Sequence, residues 1–348
     1  MSTSPQANQR IAKWDNAKAF LILMVVFGHA LTPYVDSGGM MHCVTLFLYS
    51  FHMPLFIFIS GIFAKSTINT KPFRYEKVVS YLLLYVFMKF TIYLVQMIFS
   101  KNPEFDLKFL LDEKGTPWYI LVMAVHILVA RAIRKLNPVA VLVISTLTAL
   151  GVGYVNFIDD TLILSRIIVF FPLFYLGYML NSDKVLLVMN KPIIRILSAV
   201  FLLGFVMFLI FFTDKVYSLR YVFTGNNPYY EFGTDWYPLG ALLRLFCYGV
   251  SVAVGGAILS VIPNKKIPLM SYCGTKTLPI YAFHRQILFA LQYSVLGVSL
   301  ANLDPNLIIP VVFTASLLLT FLLSLKPFDY ILYPIMNYNR LFKKKAKS

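Results

Sequence analysis

Charged residues are scarce in this chain. Asp, Glu, Lys and Arg make up 13% of its 348 residues, and 59% are hydrophobic, whereas a soluble domain has about 25% charged residues. Cysteine is rarer still. The three cysteines, Cys43, Cys247 and Cys273, are far apart in sequence and have no Cys-x-x-Cys spacing. This argues against a disulfide framework or a zinc site, and we expect no metal. The composition is that of a polytopic membrane protein.

Acidic residues are also few. Fifteen Asp and Glu against 31 Lys and Arg give a net charge of +16. Such an excess can indicate a nucleic-acid-binding protein, but the sequence contains no nucleic-acid motif, and its basic residues fall in short gaps between apolar runs. That pattern is typical of cytoplasmic loops facing anionic lipid. We therefore expect the lipid bilayer, and not nucleic acid, as a partner.

The apolar runs are numerous and long enough to cross a membrane. A spanning helix needs about 20 mostly apolar residues. Ten segments fit, at 15–35, 42–64, 77–99, 116–134, 138–156, 162–180, 192–213, 238–262, 275–297 and 306–326. We predict an all-α fold with a single membrane domain over 15–326. A cytoplasmic segment is predicted over 1–14 and a basic cytoplasmic tail over 327–348.

Charge in the loops predicts the orientation of these spans. With a cytoplasmic N-terminus, the loops after even-numbered spans are basic, and the other loops are acidic or balanced, as the positive-inside rule requires. Both termini are then cytoplasmic. The first span has no small-residue cleavage site after it, so we interpret it as a retained helix and not as a signal peptide. We expect a multi-pass protein of the cytoplasmic membrane of a bacterium.

Two ionisable residues lie on one face of the first span. Lys18 and His29 are eleven residues apart, which is close to three helical turns and about 16 Å along the axis. Lys18 lies near the cytoplasmic end and His29 in the outer half. Ionisable groups at such depth point to function. The alternatives are snorkelling of Lys18 and a structural interhelical hydrogen bond from His29.

Further charges surround the cytoplasmic end of this span. Asp15 lies one turn before Lys18 and can pair with it. Arg10 and Lys13 flank the same mouth. Together they can bind the phosphates of a cofactor, or they can serve as positive-inside anchors.

Other ionisable residues lie deep in later spans. His52 precedes a proline in the second span, within about two turns of the depth of His29. Arg166 and Arg244 lie near the outer ends of the sixth and eighth spans, and His284 lies near the midplane of the ninth. We expect the two histidines of the first two spans to share one polar site, and each arginine to face a polar cavity or the interface.

The remaining candidates have plausible structural roles. Trp118 and Tyr119 open the fourth span from outside, where they can join an aromatic belt or stack on a sugar ring. Ser60 and the glycine after it favour close helix packing, and no Gly-x-Ser-x-Gly motif marks Ser60 as a nucleophile. For His42 and His126 we favour structural roles.

Five motifs resemble those of the acyltransferase-3 family of integral membrane acyltransferases, especially its fucose 4-O-acetylase-like branch. They are R-x4-DNAK-x6-VVFGH (10–29), FHMPLFIFISG (51–61), PWYIL (117–121), SRIIVFFPLFYLGY (165–178) and TLPIYAFHRQIL (277–288). The resemblance covers nearly the whole chain. It implies a ten-helix enzyme that moves an acyl group, usually acetyl, from cytoplasmic acetyl-CoA to a hydroxyl of an exported or cell-surface carbohydrate.

The resemblance also implies roles for individual residues. By position, His29 is the essential histidine of the family, as a general base or a transient acetyl carrier. Lys18 stands where many relatives have arginine, and lysine lacks the bidentate fork of a guanidinium. We predict three sets of site residues: catalytic His29, His52 and Arg166; cofactor-binding Lys18, Arg10, Asp15 and His284; and substrate-binding Trp118, Tyr119 and Arg244.

A transporter or flippase for a glycan or a lipid-linked intermediate is the competing prediction. Ten helices with buried charges fit that class too. Its inverted repeats are not evident, because a recurring Pro-Leu-Phe at 54–56 and 172–174 lies in helices that otherwise do not match. The sequence leaves open the acceptor sugar and the choice between acetyl and succinyl.

Overall fold

The computed structural model describes residues 10–99, 117–155, 158, 163–226, 228–233, 235–292, 294 and 304–339. Within these ranges the chain is helical and contains no strand. The α-helices are α1 (Ala12–Leu31), α2 (Gly39–Asn69), α3 (Tyr75–Phe99), α4 (Trp118–Ile133), α5 (Pro138–Gly151), α6 (Leu164–Met179), α7 (Ser182–Met189), α8 (Pro192–Val216), α9 (Leu219–Thr224), α10 (Gly240–Val261), α11 (Pro268–Thr275), α12 (Thr277–Gln292), α13 (Pro305–Leu323) and α14 (Lys326–Met336).

Five helical segments are long and apolar enough to cross a membrane. They are Ala12–Tyr34, Gly39–Asn69, Tyr75–Phe99, Pro192–Val216 and Tyr237–Val261. Two bent pairs, α6 with α7 and α13 with α14, raise the number to seven among the described residues. The prediction of an all-α, multi-pass membrane protein is therefore confirmed, whereas ten crossings and the orientation of the termini stay predictions.

The ends of several predicted segments differ from the helices. Positions 116, 156, 162, 293 and 295–297 lie outside the described residues, as do most of the predicted cytoplasmic segment and the last nine residues of the predicted tail. The tail nevertheless contains α14, which bends by 60° from α13 and packs against α3 and α12. The basic tail therefore begins with a docked helix.

Helices α1 and α2 form the centre of the fold. α2 packs against α1, α4, α6, α8 and α10, and α1 packs in addition against α11, α12 and α13. Residues on both helices belong to one continuous buried core, which includes Leu21, Val26, Phe51 and Ile57. The polar residues of these two helices are consequently held among several neighbours, which is what a preorganised site requires.

Glycines bring α2 and α6 into backbone contact. A Cβ on Gly61 would overlap the carbonyl oxygen of Phe174, and a Cβ on Gly177 would overlap that of Phe58. Beyond this crossing, Lys65 Nζ of α2 donates to the carbonyls of Met179 and Leu180 at the end of α6, so the two helices run parallel. Small residues permit this approach in membrane helices, as predicted for Gly61.

The parallel crossing fixes the depth of two site residues. His52 lies nine residues before Gly61, and Arg166 lies eleven residues before Gly177. Both positions therefore lie roughly three turns before the same glycine contact, toward the N-terminal ends of their helices. The close approach of the glycines places His52 and Arg166 at a similar level on neighbouring helices.

Polar bonds anchor the first turns of α1. Lys13 is fully buried, and its Nζ donates to Asn190 Oδ1 at 2.8 Å and to the Ser260 carbonyl at 3.1 Å. Asn16 donates to the carbonyls of Pro263 and Lys265. The expectation that Lys13 flanks a basic entrance at the cytoplasmic end of α1 is wrong. Its ammonium group is buried and hydrogen-bonded to the neighbouring helices.

Candidate active site

His29 and His284 form the centre of a polar cluster between α1 and α12. Their ring centroids are 5.3 Å apart and the planes are tilted by 40°. His29 is partly accessible, whereas His284 is completely buried. His284 Nδ1 lies 2.8 Å from the Tyr281 carbonyl and 3.1 Å from that of Ile280. His29 thus faces the accessible space, and His284 lies behind it.

His52 joins the cluster from α2. Its Nδ1 lies 2.6 Å from the Leu48 carbonyl. A carbonyl only accepts, so Nδ1 carries the proton and Nε2 is the free acceptor of the neutral ring. The ring of Tyr49 packs edge-on against His52 at 5.5 Å. His52 and Tyr49 are both partly accessible, like His29, and His52 interacts electrostatically with His29.

Two arginines supply positive charge. Arg166 of α6 lies over the face of Trp118, with Cζ 4.4 Å from the ring centroid. Arg285 follows His284 on α12 and is partly accessible. His29 interacts electrostatically with Arg285, His284, His52 and Arg166. The predicted catalytic residues His29, His52 and Arg166 are therefore brought together, although their roles stay predictions.

Trp118 and Tyr119 belong to this region and not to a lipid-facing belt. Trp118 is 7% exposed and stacks on Phe170 at 5.6 Å between centroids. Its other neighbour is the Arg166 guanidinium, so it can act on a substrate through Arg166. The Tyr119 hydroxyl lies 2.6 Å from Ser60 Oγ, which itself donates to the Phe56 carbonyl. The Tyr119 hydroxyl is therefore the donor to Ser60.

A separate cleft opens toward the other end of α1. It has a volume of about 190 Å³ and is lined by Lys18, Lys77, Ser60, Tyr81, Tyr119 and Thr277, among others. Lys18 bonds Asp15 at 2.8 Å, and Asp15 also bonds Arg10 at 2.6 Å. The predicted pairing of Asp15 with Lys18 is confirmed. Arg10 is 61% exposed in its side chain, so Lys18 is the residue of this trio that faces the cleft.

Aromatic rings connect the cleft to the histidines. The Tyr119 ring lies 5.4 Å from that of Tyr281, and Tyr281 lies 5.7 Å from His284. Because Tyr119 lines the cleft and His284 contacts His29, these rings form a column between the cleft and His29. We call Tyr119, Tyr281, His284 and His29 the aromatic column.

Arg244 is placed away from the histidines. It is 1% exposed, donates to the Ala149 carbonyl of α5 at 2.8 Å, and lies over the Tyr229 ring at 4.5 Å. These contacts put it beside α5 and the segment before α10. Its predicted role in substrate binding stays a prediction.

His126 and His42 have the packing contacts expected of structural histidines. The Nε2 of His126 lies 2.8 Å from the Ile167 carbonyl, which connects α4 to α6. The ring of His42 stacks on Tyr217 at 3.6 Å and bonds Asp214 at 3.1 Å. Neither histidine contacts His29.

Sequence reasoning missed parts of the cluster. The ring neighbours of His284 are His29 and Tyr281, a pairing that the sequence did not indicate, and its predicted role in cofactor binding stays a prediction. Arg285, the neighbour of His284 in sequence, was not among the predicted site residues, yet both interact with His29. Tyr49 and Tyr281 had no motif of their own, and the signal for them was their position within one turn of His52 and His284.

Comparison with known proteins identifies the family. The profile of the acyltransferase-3 family (Acyl_transf_3), described as an acyltransferase domain, matches residues 11–325. The chain belongs to this family. It is also similar to the nodulation protein NolL of Mesorhizobium japonicum, with 27% identity over 183 residues, 49% of this chain and 48% of NolL. The match thus spans about half the length of that relative. No solved structure matches the chain.

Proposed function

We propose that this membrane acyltransferase moves an acetyl group from cytoplasmic acetyl-CoA to a hydroxyl of a carbohydrate on the other side of the membrane. The observation that carries the proposal is the aromatic column, which links a lysine-lined cleft to a partly accessible histidine that interacts with two arginines. A donor that carries phosphates suits the lysine-lined cleft. An acceptor hydroxyl suits the surroundings of His29.

In the proposed reaction His29 is the general base. One ring nitrogen takes the proton of the acceptor hydroxyl as the oxygen attacks the thioester carbonyl. The C–O bond forms, the C–S bond breaks, and the proton passes from the imidazolium to the leaving thiolate of coenzyme A. The products are the acetyl ester and free coenzyme A, and His29 returns to its neutral form.

The arginines are suited to the negative charge of this reaction. The carbonyl oxygen becomes an oxyanion in the tetrahedral intermediate, and preorganised donors stabilise it best. Arg166 is held over Trp118, and Arg285 follows His284 on α12 and also interacts with His29. We assign the oxyanion to Arg166, because the indole face restricts its guanidinium. His52, whose Nε2 is an acceptor, is assigned to a neighbouring hydroxyl of the acceptor sugar, because the proton of the reacting hydroxyl goes to His29.

The donor is assigned to the cleft. Lys18 and Lys77 both line it, and ammonium groups bind phosphate oxygens by charge-assisted hydrogen bonds. Asp15 holds Lys18 in place. The adenine nucleotide would thus stay at the cytoplasmic end of α1, with the thioester directed along the aromatic column.

This reaction requires the cleft and the histidines to face opposite sides of the membrane. We propose that all ten apolar segments cross it, with both termini in the cytoplasm. The alternation of basic loops supports this arrangement. The shorter helices α4 and α12 would then cross among other helices of the bundle, whereas α5 would cross at its edge, where Val143, Ile144 and Leu147 are exposed.

Substitution of His29 tests the proposal. Purified His29→Gln is expected to lose acetyl transfer by at least about 100-fold, the typical contribution of a positioned base. The assay is release of free coenzyme A from acetyl-CoA, together with NMR detection of O-acetyl groups on surface glycans of a complemented deletion strain. His42→Gln is the matched control, because His42 contacts Tyr217 and Asp214 instead of the cluster.

Two results would overturn the assignment. Normal O-acetylation by a well-expressed His29→Gln variant excludes His29 as the base. A labelled acetyl group trapped on His29 makes it a covalent carrier. Acetyl-CoA is also expected to raise the melting temperature of the purified protein, which a glycan carrier or flippase would not show.

A further inference from the structure

His284 has a buried ring nitrogen without a partner. Nδ1 faces the carbonyl oxygens of Tyr281 and Ile280, so it carries the ring proton. Nε2 of the neutral ring is then an acceptor. It is buried and makes no hydrogen bond within the described part of the chain. Because an unpaired acceptor in the interior is costly, this atom needs a donor.

The neighbouring ring that can supply a donor is His29. Two imidazoles joined by an N–H···N hydrogen bond of about 2.9 Å have centroids about 5 Å apart, and the centroids of His29 and His284 are 5.3 Å apart. The rings are tilted by 40°, so a small rotation of the His29 ring would complete the N–H···N hydrogen bond to His284. Water cannot take this role readily, because His284 is 0% exposed.

We infer that His284 is a positioning residue that selects the tautomer of His29, an inference that depends on the proposed function of His29 as a base. Nε2 of His284 accepts the N–H of one ring nitrogen of His29. The other nitrogen of His29 then carries the lone pair and faces the accessible space. Without this bond the two tautomers of His29 interconvert, and a fraction presents a proton where the base needs a lone pair.

A neutral acceptor is unusual in this role. In Ser-His-Asp triads a carboxylate orients the histidine. Here the described groups that act electrostatically on His29 are Arg285, His284, His52 and Arg166, and none is acidic. A carboxylate would pair with these arginines and withdraw them from a developing oxyanion. A histidine orients His29 without adding a negative charge that would compete with that oxyanion for the arginines.

The full-length protein, labelled with ¹⁵N-histidine, gives a direct test. It has five histidines, so single substitutions assign every ring signal. In the wild type, NMR is expected to show His29 in one tautomer and His284 protonated on Nδ1. In His284→Leu the His29 signals should become those of a tautomer mixture, and in His284→Gln, whose amide oxygen can replace the acceptor, they should stay as in the wild type.

Kinetics supply the second readout. His284→Leu is expected to lower kcat by about 10- to 100-fold, part of the contribution of a positioned base, with KM for acetyl-CoA unchanged because His284 lies behind His29. His284→Gln should recover most of kcat. His126→Leu is the control for loss of a buried histidine, and it should leave the His29 signals unchanged, since His126 contacts Ile167 instead.

The outcomes separate this inference from the proposed function. A wild-type His284 protonated on Nε2, or His29 signals unaffected by His284→Leu, overturns the inference even if acetyl transfer is confirmed. The wild-type spectrum decides this point if His284→Leu does not fold. A locked His29 tautomer that is released in His284→Leu, in a protein that transfers no acyl group, supports the pairing and overturns the proposed reaction.

Discussion

Gly61 of α2 and Gly177 of α6 each lie against the backbone of the other helix, with no space for a Cβ on either. This contact holds two helices that carry His52 and Arg166. Neither residue is near the glycines in depth, yet their common level follows from where the backbones touch. The alignment of the cluster is therefore sensitive to methyl-sized changes far from it.

Gly61→Ala or Gly177→Ala is expected to lower the free energy of unfolding by about 1–3 kcal/mol, because the added methyl group overpacks the crossing. Thermal unfolding in detergent measures this. Gly204→Ala on α8 is the control, since no atom lies within 4 Å of a Cβ there. Equal melting temperatures for Gly61→Ala and Gly204→Ala would contradict the close contact.

Trp118 is expected to influence the chemistry through Arg166. Trp118→Leu removes the aromatic face below the guanidinium, a cation–π interaction of up to about 2 kcal/mol in a desolvated site. We expect kcat for acetyl transfer to fall by up to about 30-fold, and Trp118→Phe to retain most of it. A large rise in KM for the acceptor with normal kcat would instead place Trp118 in direct contact with the sugar.

Lys18 and Arg10 should differ in their effect on donor binding. Lys18→Met is expected to raise KM for acetyl-CoA by about tenfold or more, because it removes a charge-assisted phosphate contact of about 1.5–3 kcal/mol. Arg10→Gln should change KM by less than about threefold, since an exposed charge contributes little. Titration calorimetry with coenzyme A checks both. Equal effects would mean that the nucleotide lies outside the cleft.

Lys13 is expected to behave as a structural residue. Lys13→Met leaves the Ser260 carbonyl without this donor and removes one of the two donors to Asn190 Oδ1, the other being Arg195. We expect a loss of about 1–3 kcal/mol of stability. KM for acetyl-CoA, measured below the melting temperature, should stay at the wild-type value. A raised KM with unchanged stability would return Lys13 to the donor site.

Cysteine labelling tests the orientation. The three native cysteines are buried, so background labelling is expected to be low. Ser37 and Lys265 are exposed positions in two different loops. In intact cells, a membrane-impermeant maleimide is expected to label Ser37→Cys and to label Lys265→Cys only after permeabilisation. The reverse pattern would contradict the proposed topology.

Local periodicity predicted some features of the site but not others. Lys18 and His29 share a face because both lie on one helix, where the angle per residue is constant. Asp15 pairs with Lys18 for the same reason. Lys13 is a lysine of the same helix as Lys18, but it is buried. Its burial depends on α7 and α10, which are distant in sequence and pack against this part of α1.

Contacts between helices that are distant in sequence could not be predicted, because they too depend on how the helices pack. The rotation of α12 about its axis determines that His284 faces His29, and nothing within TLPIYAFHRQIL specifies that rotation. Trp118 has the residue type and position of an aromatic-belt residue at the membrane interface. It is buried because α6 places Phe170 and Arg166 against it. Helix existence is a local property, whereas helix rotation is a property of the bundle.

The aromatic column also has a consequence for the membrane as an insulator. A protein with cationic spaces reaching toward both faces of a bilayer risks conducting anions, and each elementary charge that crosses gains about 2.3 kcal/mol per 100 mV of membrane potential. Here the rings of Tyr119 and Tyr281 stand between Lys18 and the arginines beside His29. In the proposed reaction these rings would separate the two cationic regions while the acyl group passes to His29, so acyl transfer would leave the membrane potential intact.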